Sequence, residues 1–280
     1  MLFRWGILMK NSLEIICYAR LAQRHALPWI YAFIEGLKRH GIQSKWDYTE
    51  HYKPCDLAVV WGLRNKKINE GQLDHSADYL VMERGYFGDR KKHTGIGYNG
   101  LNGRAFFFAK NMPSDRWEKH GVEVKPWQME GEYFLLMGQV SGDQSLYGKD
   151  PRHWYEKTMN KIKAMTGIPV YFRPHPLTRQ YDGLLQCDGL MTDSLEDAFS
   201  KAMCAITYNS NSGVDAVLNG VPVVAMDIGS MAWDMARHDV SMNFNRPKRK
   251  QWLYDLAYKQ WTLEEVENGD AWEHLKQRYA

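Results

Sequence analysis

Three short segments carry residue types that could bind or transfer a phosphorylated group. The first, Ser210-Asn211-Ser212-Gly213, follows the apolar, strand-like run 204–207 and precedes a helical pattern. A turn from a strand into a helix presents free backbone N–H groups at the positive end of the helix dipole, which suits a phosphate. Because serine hydroxyls add further donors, the segment predicts a phosphate cradle. The alternative is a well-capped strand–helix turn that binds nothing.

The second segment, Arg173-Pro174-His175-Pro176, follows the strand-like run 170–172. Proline cannot continue a strand, and two prolines fix the backbone on either side of the histidine. Arg173 or His175 could bind a phosphate or stabilise a departing one. A buried structural histidine is the alternative.

The third segment, Glu83-Arg84-Gly85, ends the strand-like run 79–82. A carboxylate at a strand end, beside a flexible glycine-rich stretch, suits a general base that faces a cleft. The alternative is an ion pair between Glu83 and Arg84 on the surface. The polar, glycine-rich stretch 86–103 that follows predicts a long loop with a functional or mobile role.

Alternating strand and helix patterns surround these segments. Apolar runs predict strands over 13–19, 56–61, 79–82, 134–140, 170–172, 204–207 and 223–226. Amphipathic patterns and caps predict helices over 27–40, 150–165, 194–202, 214–219, 251–260 and 263–275. Thr262 and Glu265 have the spacing of a capping box for the last helix. This alternation predicts an α/β fold with parallel sheets, in which ligands bind beyond the carboxyl ends of the strands.

Composition limits the class of protein. With 280 residues, 44% of them hydrophobic, the chain is long enough for two globular domains. The net charge of +3 is too small to imply nucleic-acid binding by itself. No apolar run reaches about 18 residues, and the first residues lack a cleavage site, so neither a membrane span nor a signal peptide is expected. Four cysteines without paired spacing predict reduced core thiols and a cytoplasmic location.

The order of the three segments resembles the HP-motif glycosyltransferases of GT-B architecture, namely capsule Kdo transferases and bacterial sialyltransferases. Those enzymes carry an acidic-acidic-Gly motif, then His-Pro, then a Ser-Ser or Ser-Thr pair. The matches are Glu83-Arg84-Gly85, His175-Pro176, and Ser210 with Ser212. Arg84 stands at the second acidic position, so the base role falls on Glu83 alone.

The resemblance implies a fold and a reaction. The fold is α/β of the GT-B type, with two Rossmann-like β/α/β domains facing a cleft and C-terminal helices crossing back. The expected domains are 1–130 for the acceptor, 131–245 for the nucleotide-sugar, and 246–280 for the closing helices. The reaction is inverting transfer of a sugar from a nucleotide-sugar to a hydroxyl, with Glu83 and His175 as catalytic residues. The donor-binding residues implied are Arg173, Ser210, Asn211, Ser212, Gly213 and Asp215, the last on the ribose.

The donor is the only small molecule expected, and a UDP-sugar is favoured over a CMP-sugar. Because the sequence lacks an Asp-x-Asp motif, the usual anchor for a metal-bound sugar nucleotide, transfer is predicted to need no metal.

The whole chain also resembles small glycosyltransferase-like proteins of tailed bacteriophages, through ERGYFGDR (83–90), GYNGLNGRA (97–105) and LAYKQWTLEEVENGDAW (256–272). Some transferases of this kind modify 5-hydroxymethylated pyrimidines in DNA, which implies double-stranded DNA as partner and the host cytoplasm as location. Basic side chains would then contact DNA phosphates. The candidates are Arg64, Lys66, Lys67, Arg84, Arg90, Lys91 and Lys92. Solvated surface charge is the alternative.

Three other functions stay open. The acceptor could be a surface polysaccharide, with the basic run 246–250 beside Trp252 as a short membrane-binding candidate. A nucleotide-sugar epimerase would share the architecture and could use Asp143 or Glu196 as a further acid or base. A non-catalytic protein that binds DNA or nucleotides is the third.

Overall fold

The computed structural model describes residues 13–49, 51–177 and 187–280. Its strands are β1 (Ile15–Ala19), β2 (Lys45–Tyr48), β3 (Leu57–Trp61), β4 (Asp78–Arg84), β5 (His93–Tyr98), β6 (Tyr133–Met137), β7 (Val170–Arg173), β8 (Gly189–Leu190), β9 (Ala202–Thr207), β10 (Val223–Ala225) and β11 (Gln260–Thr262). Its α-helices are α1 (Leu27–Arg39), α2 (Lys66–Asp74), α3 (Asp115–His120), α4 (Arg152–Met165), α5 (Leu195–Ser200), α6 (Ser212–Leu218), α7 (Lys250–Ala257), α8 (Leu263–Glu267) and α9 (Asp270–Leu275). The segment on which the signal-peptide prediction rests lies mostly outside the described residues.

Two sheets organise these elements. One has six strands in the order β11-β5-β4-β3-β1-β2, and the other has five in the order β10-β9-β6-β7-β8. The pairs β1–β2, β1–β3 and β3–β4 are parallel in the first sheet. All four pairs of the second sheet are parallel. The predicted α/β class with two Rossmann-like parallel sheets is confirmed.

The chain divides into two compact units, Met1–Met82 with Thr262–Ala280 (unit 1), and Glu83–Trp261 (unit 2). In unit 1 the last two helices, α8 and α9, pack on α1, whereas α7, the first of the predicted closing helices, lies in unit 2. Phe33 and Trp272 meet edge to face at 6.1 Å, and a Cβ on Gly36 would lie 2.2 Å from the carbonyl oxygen of Val266. The domain bounds 1–130, 131–245 and 246–280 stay a prediction.

In unit 2, strand β6 is covered on both faces, which explains its uninterrupted apolar sequence. Phe134 and Leu136 face one cluster that contains Tyr155 of α4. Leu135 and Met137 face the other, which contains residues of α5, α6 and α7. A strand that is buried on both sides places its carboxyl end, with the loop that follows, at a fixed position.

The prediction of a long loop over 86–103 is wrong, because strand β5 runs through it. Its glycines are needed for close packing rather than for mobility. A Cβ on Gly95 would lie 2.3 Å from the Tyr86 hydroxyl, and one on Gly97 would lie 2.6 Å from the Cβ of Ala105. Glycine in a strand therefore marks close approach of neighbouring groups here.

Three other local features differ from the sequence-based predictions. The helix predicted over 263–275 is broken into α8 and α9 at Gly269, whose φ is +87°, although its capping box between Thr262 and Glu265 is confirmed. Lys66 and Lys67 begin α2 instead of lying in a loop. Strand β2 was missed because its sequence, KWDY, is mostly polar and partly exposed, as suits the edge of a sheet.

Candidate functional site

The carboxyl edge of the five-stranded sheet is where the motifs meet. After β6 the chain adds β7 and β8 on one side, and it later adds β9 and β10 on the other, so the strand order reverses between β6 and β9. Ligands of open parallel sheets bind beyond the carboxyl ends at such a reversal. The loops that leave β6, β7 and β9 there contain Gln139, His175 and Ser210.

Among the described residues, two cavities are found at this edge, both lined by residues of unit 2. The larger cavity has a volume of 340 Å³, and the smaller cavity has one of 280 Å³. Arg90, His175 and Ser210 line both of them. The larger cavity is also lined by Glu83, Arg84, Asn102, Gln139, Asp143, Gln144, Ser145, Asn209 and Asn211. The smaller cavity is also lined by Arg173, Pro174, Pro176, Ser212 and Asp215.

His175 is held in a defined orientation after β7. The backbone N–H of Leu177 donates to its Nδ1 at 3.2 Å. Because Nδ1 accepts this hydrogen bond, the proton of the neutral ring is assigned to Nε2. Burial lowers the pKa of His175 below the ordinary 6.5. At neutral pH the side chain is therefore a neutral Nε2–H donor that lines both cavities.

Arg173 spans from β7 to the segment after β8. Its Nη1 donates to the carbonyl oxygens of Asp193 at 2.7 Å and Met191 at 3.3 Å. These bonds place the guanidinium beside the smaller cavity, where its other N–H groups can meet an anionic ligand. Its role as a phosphate ligand stays a prediction.

The serine turn after β9 is ordered by its own hydrogen bonds. The Ser212 hydroxyl donates to the Ser210 hydroxyl at 2.9 Å, and the Ser210 N–H donates to the Thr207 hydroxyl at 2.9 Å. Gly213 is buried where a Cβ would approach Thr207 and Ala232 to 3.3 Å. Asn211 carries a buried Oδ1 that has no hydrogen-bond partner among the described residues. The turn thus places two hydroxyls and an amide at the carboxyl edge of the sheet, and its role as a phosphate cradle stays a prediction.

Arg90 and Asp215 form a pair that the sequence analysis did not foresee, because it assigned Arg90 to DNA and Asp215 to a ribose. Arg90 Nη2 donates to Asp215 Oδ2 at 2.5 Å and to the Asn211 carbonyl oxygen at 3.0 Å. Burial raises the pKa of Asp215, while Arg90 lowers it. The pair therefore joins the segment after β4 to the first turn of α6, within unit 2.

Replacing Arg90 by methionine is expected to destabilise unit 2 by about 1–3 kcal/mol at neutral pH, because it leaves the Asp215 carboxylate without its partner. Without Arg90 nothing opposes the effect of burial, so the pKa of Asp215 is raised further in the variant. Protonation in the folded state removes the unpaired charge, and the deficit shrinks as the pH falls through that raised pKa. Urea unfolding from pH 7 downward measures this. A deficit that grows on acidification contradicts it, and the double variant with Asp215→Asn is the control.

Glu83 stands at the end of β4 and lines the larger cavity. Its Oε1 accepts from the Arg84 N–H at 2.9 Å, and its carbonyl oxygen accepts from the Thr94 hydroxyl at 2.9 Å. Two residues after Glu83, the Gly85 N–H donates to the carbonyl oxygen of His93 at 2.9 Å. Backbone pairing with β5 thus fixes the position of Glu83, a residue that is partly buried.

A buried amide network lies under the larger cavity, and its central pair was missed by the sequence analysis. Gln139 Nε2 donates to Asn209 Oδ1 at 2.8 Å, and the Asn209 N–H donates to Gln139 Oε1 at 3.0 Å. Asn209 Nδ2 donates to the Ser145 carbonyl oxygen at 2.8 Å and to Asp227 Oδ1 at 3.0 Å, and Arg104 pairs with Asp227. The available signal was a polar residue two positions after the end of each of two buried strands, β6 and β9.

Replacing Asn209 by leucine is expected to lower the free energy of unfolding by about 2–5 kcal/mol, because it removes hydrogen bonds from the buried Gln139 amide, the Ser145 carbonyl oxygen and Asp227 Oδ1. Thermal and urea unfolding measure the loss. The exposed Asn243, replaced in the same way, is the control and should change stability by about 0.5 kcal/mol or less. Equal effects of the two substitutions would contradict a structural role of the network.

The other basic residues that were predicted to contact DNA are all exposed. Arg64, Lys66 and Lys67 are exposed in unit 1, and Lys91 and Lys92 are exposed in unit 2. Arg84 is exposed and lines the larger cavity.

The basic run considered as a membrane contact has a structural role. Arg249 donates to the carbonyl oxygens of Val217 and Lys125 and lies 4.2 Å from the Trp127 ring centroid. Arg246 donates to the carbonyl oxygen of Gln128 at 2.8 Å. These two arginines therefore tie loops of unit 2 together. In the described ranges, no helix combines the length and apolarity that crossing a bilayer requires.

Comparison with solved structures agrees with the sheet topology. A beta Kdo 2,4 transferase KpsC of Thermosulfurimonas dismutans matches with a TM-score of 0.59 and 14% identity, covering 89% of this chain and 92% of the other. The beta Kdo 2,7 transferase KpsC of the same organism matches with a TM-score of 0.59 and 16% identity, covering 95% and 100%. The chain has a GT-B fold.

The other comparisons add nothing to this fold assignment. A UDP-GlcNAc 2-epimerase of Methanocaldococcus jannaschii matches at 12% identity over 96% of this chain and 100% of the other. Its TM-score of 0.37 is too low to support a shared fold. No family model and no curated protein matches the sequence. At these identities the likeness establishes the fold, and function has to be argued from the site.

Proposed function

We propose that the protein is an inverting glycosyltransferase that moves a sugar from a nucleotide-sugar to a hydroxyl acceptor. The observation that carries the proposal is that Glu83, His175 and Ser210, from three separate motifs, line one cavity at the strand-order reversal. A carboxylate, a neutral histidine donor and a hydroxyl turn are the groups that such a transfer needs. The GT-B fold is the architecture in which this chemistry is expected.

The smaller cavity suits the phosphates of the donor. Arg173 and His175 offer N–H donors there, and Ser210 and Ser212 offer hydroxyls. Donors fixed around a phosphate bind it and stabilise the charge that grows on it as it leaves. Because Arg90 is bound to Oδ2 of Asp215, ribose contact is proposed as a step that exchanges this ion pair.

In the transfer step, Glu83 takes the proton of the acceptor hydroxyl while the acceptor oxygen forms a bond to the anomeric carbon. The bond between that carbon and the phosphate oxygen breaks, and the electron pair leaves with the nucleotide. Nε2–H of His175 donates to the leaving phosphate and keeps its proton. Attack opposite to the leaving group inverts the anomeric centre.

The acceptor proposed first is a 5-hydroxymethylpyrimidine in double-stranded DNA. Exposed basic side chains in both units support it, because they could neutralise phosphates. A glycan acceptor is the second candidate, which the Kdo transferases with the same fold favour.

A mass-spectrometric nucleoside assay tests the function and the acceptor together. The protein is incubated with 5-hydroxymethylcytosine or 5-hydroxymethyluracil DNA and a panel of UDP- and CMP-sugars. The added mass of a sugar on the base would establish both. Release of nucleotide without a mass gain would remove DNA and favour a glycan. If no donor gives either a mass gain or nucleotide release, the proposed transferase activity is overturned.

Transfer is expected to continue at an unchanged rate after treatment with excess EDTA. The prediction rests on the lack of an Asp-x-Asp motif and on the cationic and polar donors around the smaller cavity. The measurement is initial rate with and without EDTA, then with Mg²⁺ or Mn²⁺ restored. A loss with EDTA that the metal reverses would contradict metal independence.

A further inference from the structure

Two tyrosine rings of unit 2 each have a cationic side chain against them. The Arg104 guanidinium lies over the Tyr147 ring, 5.1 Å from its centroid. Lys149 Nζ donates to the Tyr208 hydroxyl at 3.0 Å. A cation held beside an aromatic ring offers a ligand a flat apolar face and a positive charge at neighbouring points.

The two pairs belong to one connected surface. Arg104 pairs with Asp227, and the backbone N–H of Asp227 donates to the Tyr208 carbonyl oxygen at 3.0 Å. Direct contacts therefore connect the first pair to the second. This ring–cation surface consists of Arg104, Tyr147, Lys149 and Tyr208.

The ring–cation surface borders the larger cavity. Burial raises the pKa of the Tyr147 hydroxyl, and a backbone hydrogen bond with Leu101 lowers it. Leu101 lines the larger cavity, and so does Asn209, which directly follows Tyr208 in the chain. A polymeric ligand whose reacting group enters the cavity can therefore continue across this surface.

Tyr147 has a backbone conformation that packing does not explain. Its φ of +50° lies in the left-handed region, which is strained for a bulky side chain. The residue is nevertheless 48% exposed, so burial of the ring offsets only part of the strain. Glycine or asparagine would suit this turn better. A ligand that contacts the ring accounts for a tyrosine at this position.

An unstacked nucleotide segment matches this combination of groups. Each nucleotide presents a flat base that stacks on aromatic rings and a phosphate that attracts cations. An enzyme that modifies a base in DNA must also take that base out of the stack. A neutral glycan could lie on the rings, but it would not use the charge of the exposed Lys149.

We infer that the ring–cation surface holds an unstacked segment of the DNA acceptor, with a base on Tyr147 and a phosphate on Lys149. The inference rests on the proposed function, and in particular on its DNA acceptor. Neither residue was among the DNA contacts predicted from the sequence.

Fluorescence anisotropy on the full chain tests the inference with two labelled single strands. One contains 5-hydroxymethylcytosine, and the other has the same length with abasic sites throughout, so that it keeps the phosphates and lacks the bases. The wild type should bind the base-bearing strand at least about 5-fold more tightly. Tyr147→Asn, which suits the positive φ, should weaken that binding about 5- to 10-fold and leave the abasic strand unchanged. Tyr147→Phe keeps the ring and should keep the wild-type affinity.

Lys149→Gln tests the phosphate contact. It should weaken binding of both strands and reduce the slope of log affinity against log salt by about 0.7, the value for one phosphate of a single strand. Tyr31→Asn is the matched control, because Tyr31 is 51% exposed on α1. It should leave both affinities unchanged. Melting temperatures report whether each variant folds, and the comparison of the two strands needs only the wild type.

Equal affinities of the wild type for the two strands, or base-bearing binding that a folded Tyr147→Asn leaves intact, would overturn the stacking role. Unchanged salt dependence in Lys149→Gln would overturn the phosphate contact. Binding of an acidic polysaccharide that depends on Tyr147, with neither strand bound, would assign the surface to a glycan and overturn the inference.

Calorimetry with UDP- and CMP-sugars separates this inference from the proposed function. Donor binding without binding of either strand would overturn the inference and leave the transferase in place. If no nucleotide-sugar binds the wild type, the proposed function itself fails, whatever the DNA affinities are.

Discussion

Replacing Glu83 by glutamine is expected to lower the rate of sugar transfer by about 10²- to 10⁴-fold, the range in which general bases contribute. The amide cannot take the proton of the acceptor hydroxyl. It keeps an oxygen that can accept from the Arg84 N–H, the bond made by Oε1 of Glu83 at 2.9 Å. The position of the side chain, and the affinity for the donor, should therefore stay close to those of the wild type.

The measurement combines single-turnover transfer with calorimetric binding of the donor. Glu118→Gln is the control, because Glu118 is an exposed carboxylate of α3 in the same compact unit. It should transfer at the wild-type rate. Near-normal transfer by Glu83→Gln would remove the base assignment, and loss of donor binding with loss of transfer would make Glu83 a binding residue instead.

The regular part of the fold could be predicted because local signals determine it. Short apolar runs such as 134–137 and 204–207 suit the strands of a covered parallel sheet, and Gly41, Ser194 and Thr262 mark the ends of helices. The glycine-rich stretch misled because glycine is common both in loops and in tightly packed strands. Only the tertiary neighbours of Gly95 and Gly97 distinguish the two.

The location of the candidate site followed from the same logic, since residues after parallel strands meet at one edge. Glu83, His175 and Ser210 do line one cavity, although their roles stay predictions. The pairing of Arg90 with Asp215, and of Gln139 with Asn209, joins residues far apart in the sequence. No periodicity or spacing records such contacts, so the sequence analysis assigned Arg90 to DNA and Asp215 to a ribose without relating the two.

The second large effect is expected at His175, where two substitutions can test the roles of the two ring nitrogens one at a time. Asparagine at this position can still accept from the Leu177 N–H, as Nδ1 does at 3.2 Å, but it has no group at the place of Nε2. Glutamine reaches the place of Nε2 with an N–H donor. If Nε2–H stabilises the leaving phosphate, His175→Asn should lose about 10²- to 10³-fold in kcat, and His175→Gln should lose less.

The pH dependence of the wild type constrains the same role. Burial lowers the pKa of His175 below 6.5, so the ring is neutral above that pH and needs no proton to act as a donor. Between pH 7 and 8, the transfer rate of the wild type should therefore depend on pH no more than the rate of His175→Gln does. If the wild-type rate instead falls tenfold per pH unit over that range and the rate of the variant does not, the reaction requires an imidazolium at this position.

His153→Asn on the exposed start of α4 is the control for the substitutions and should keep the wild-type rate. A greater loss for glutamine than for asparagine would mean that His175 acts through its bond to Leu177, as a positioning residue for the loop after β7.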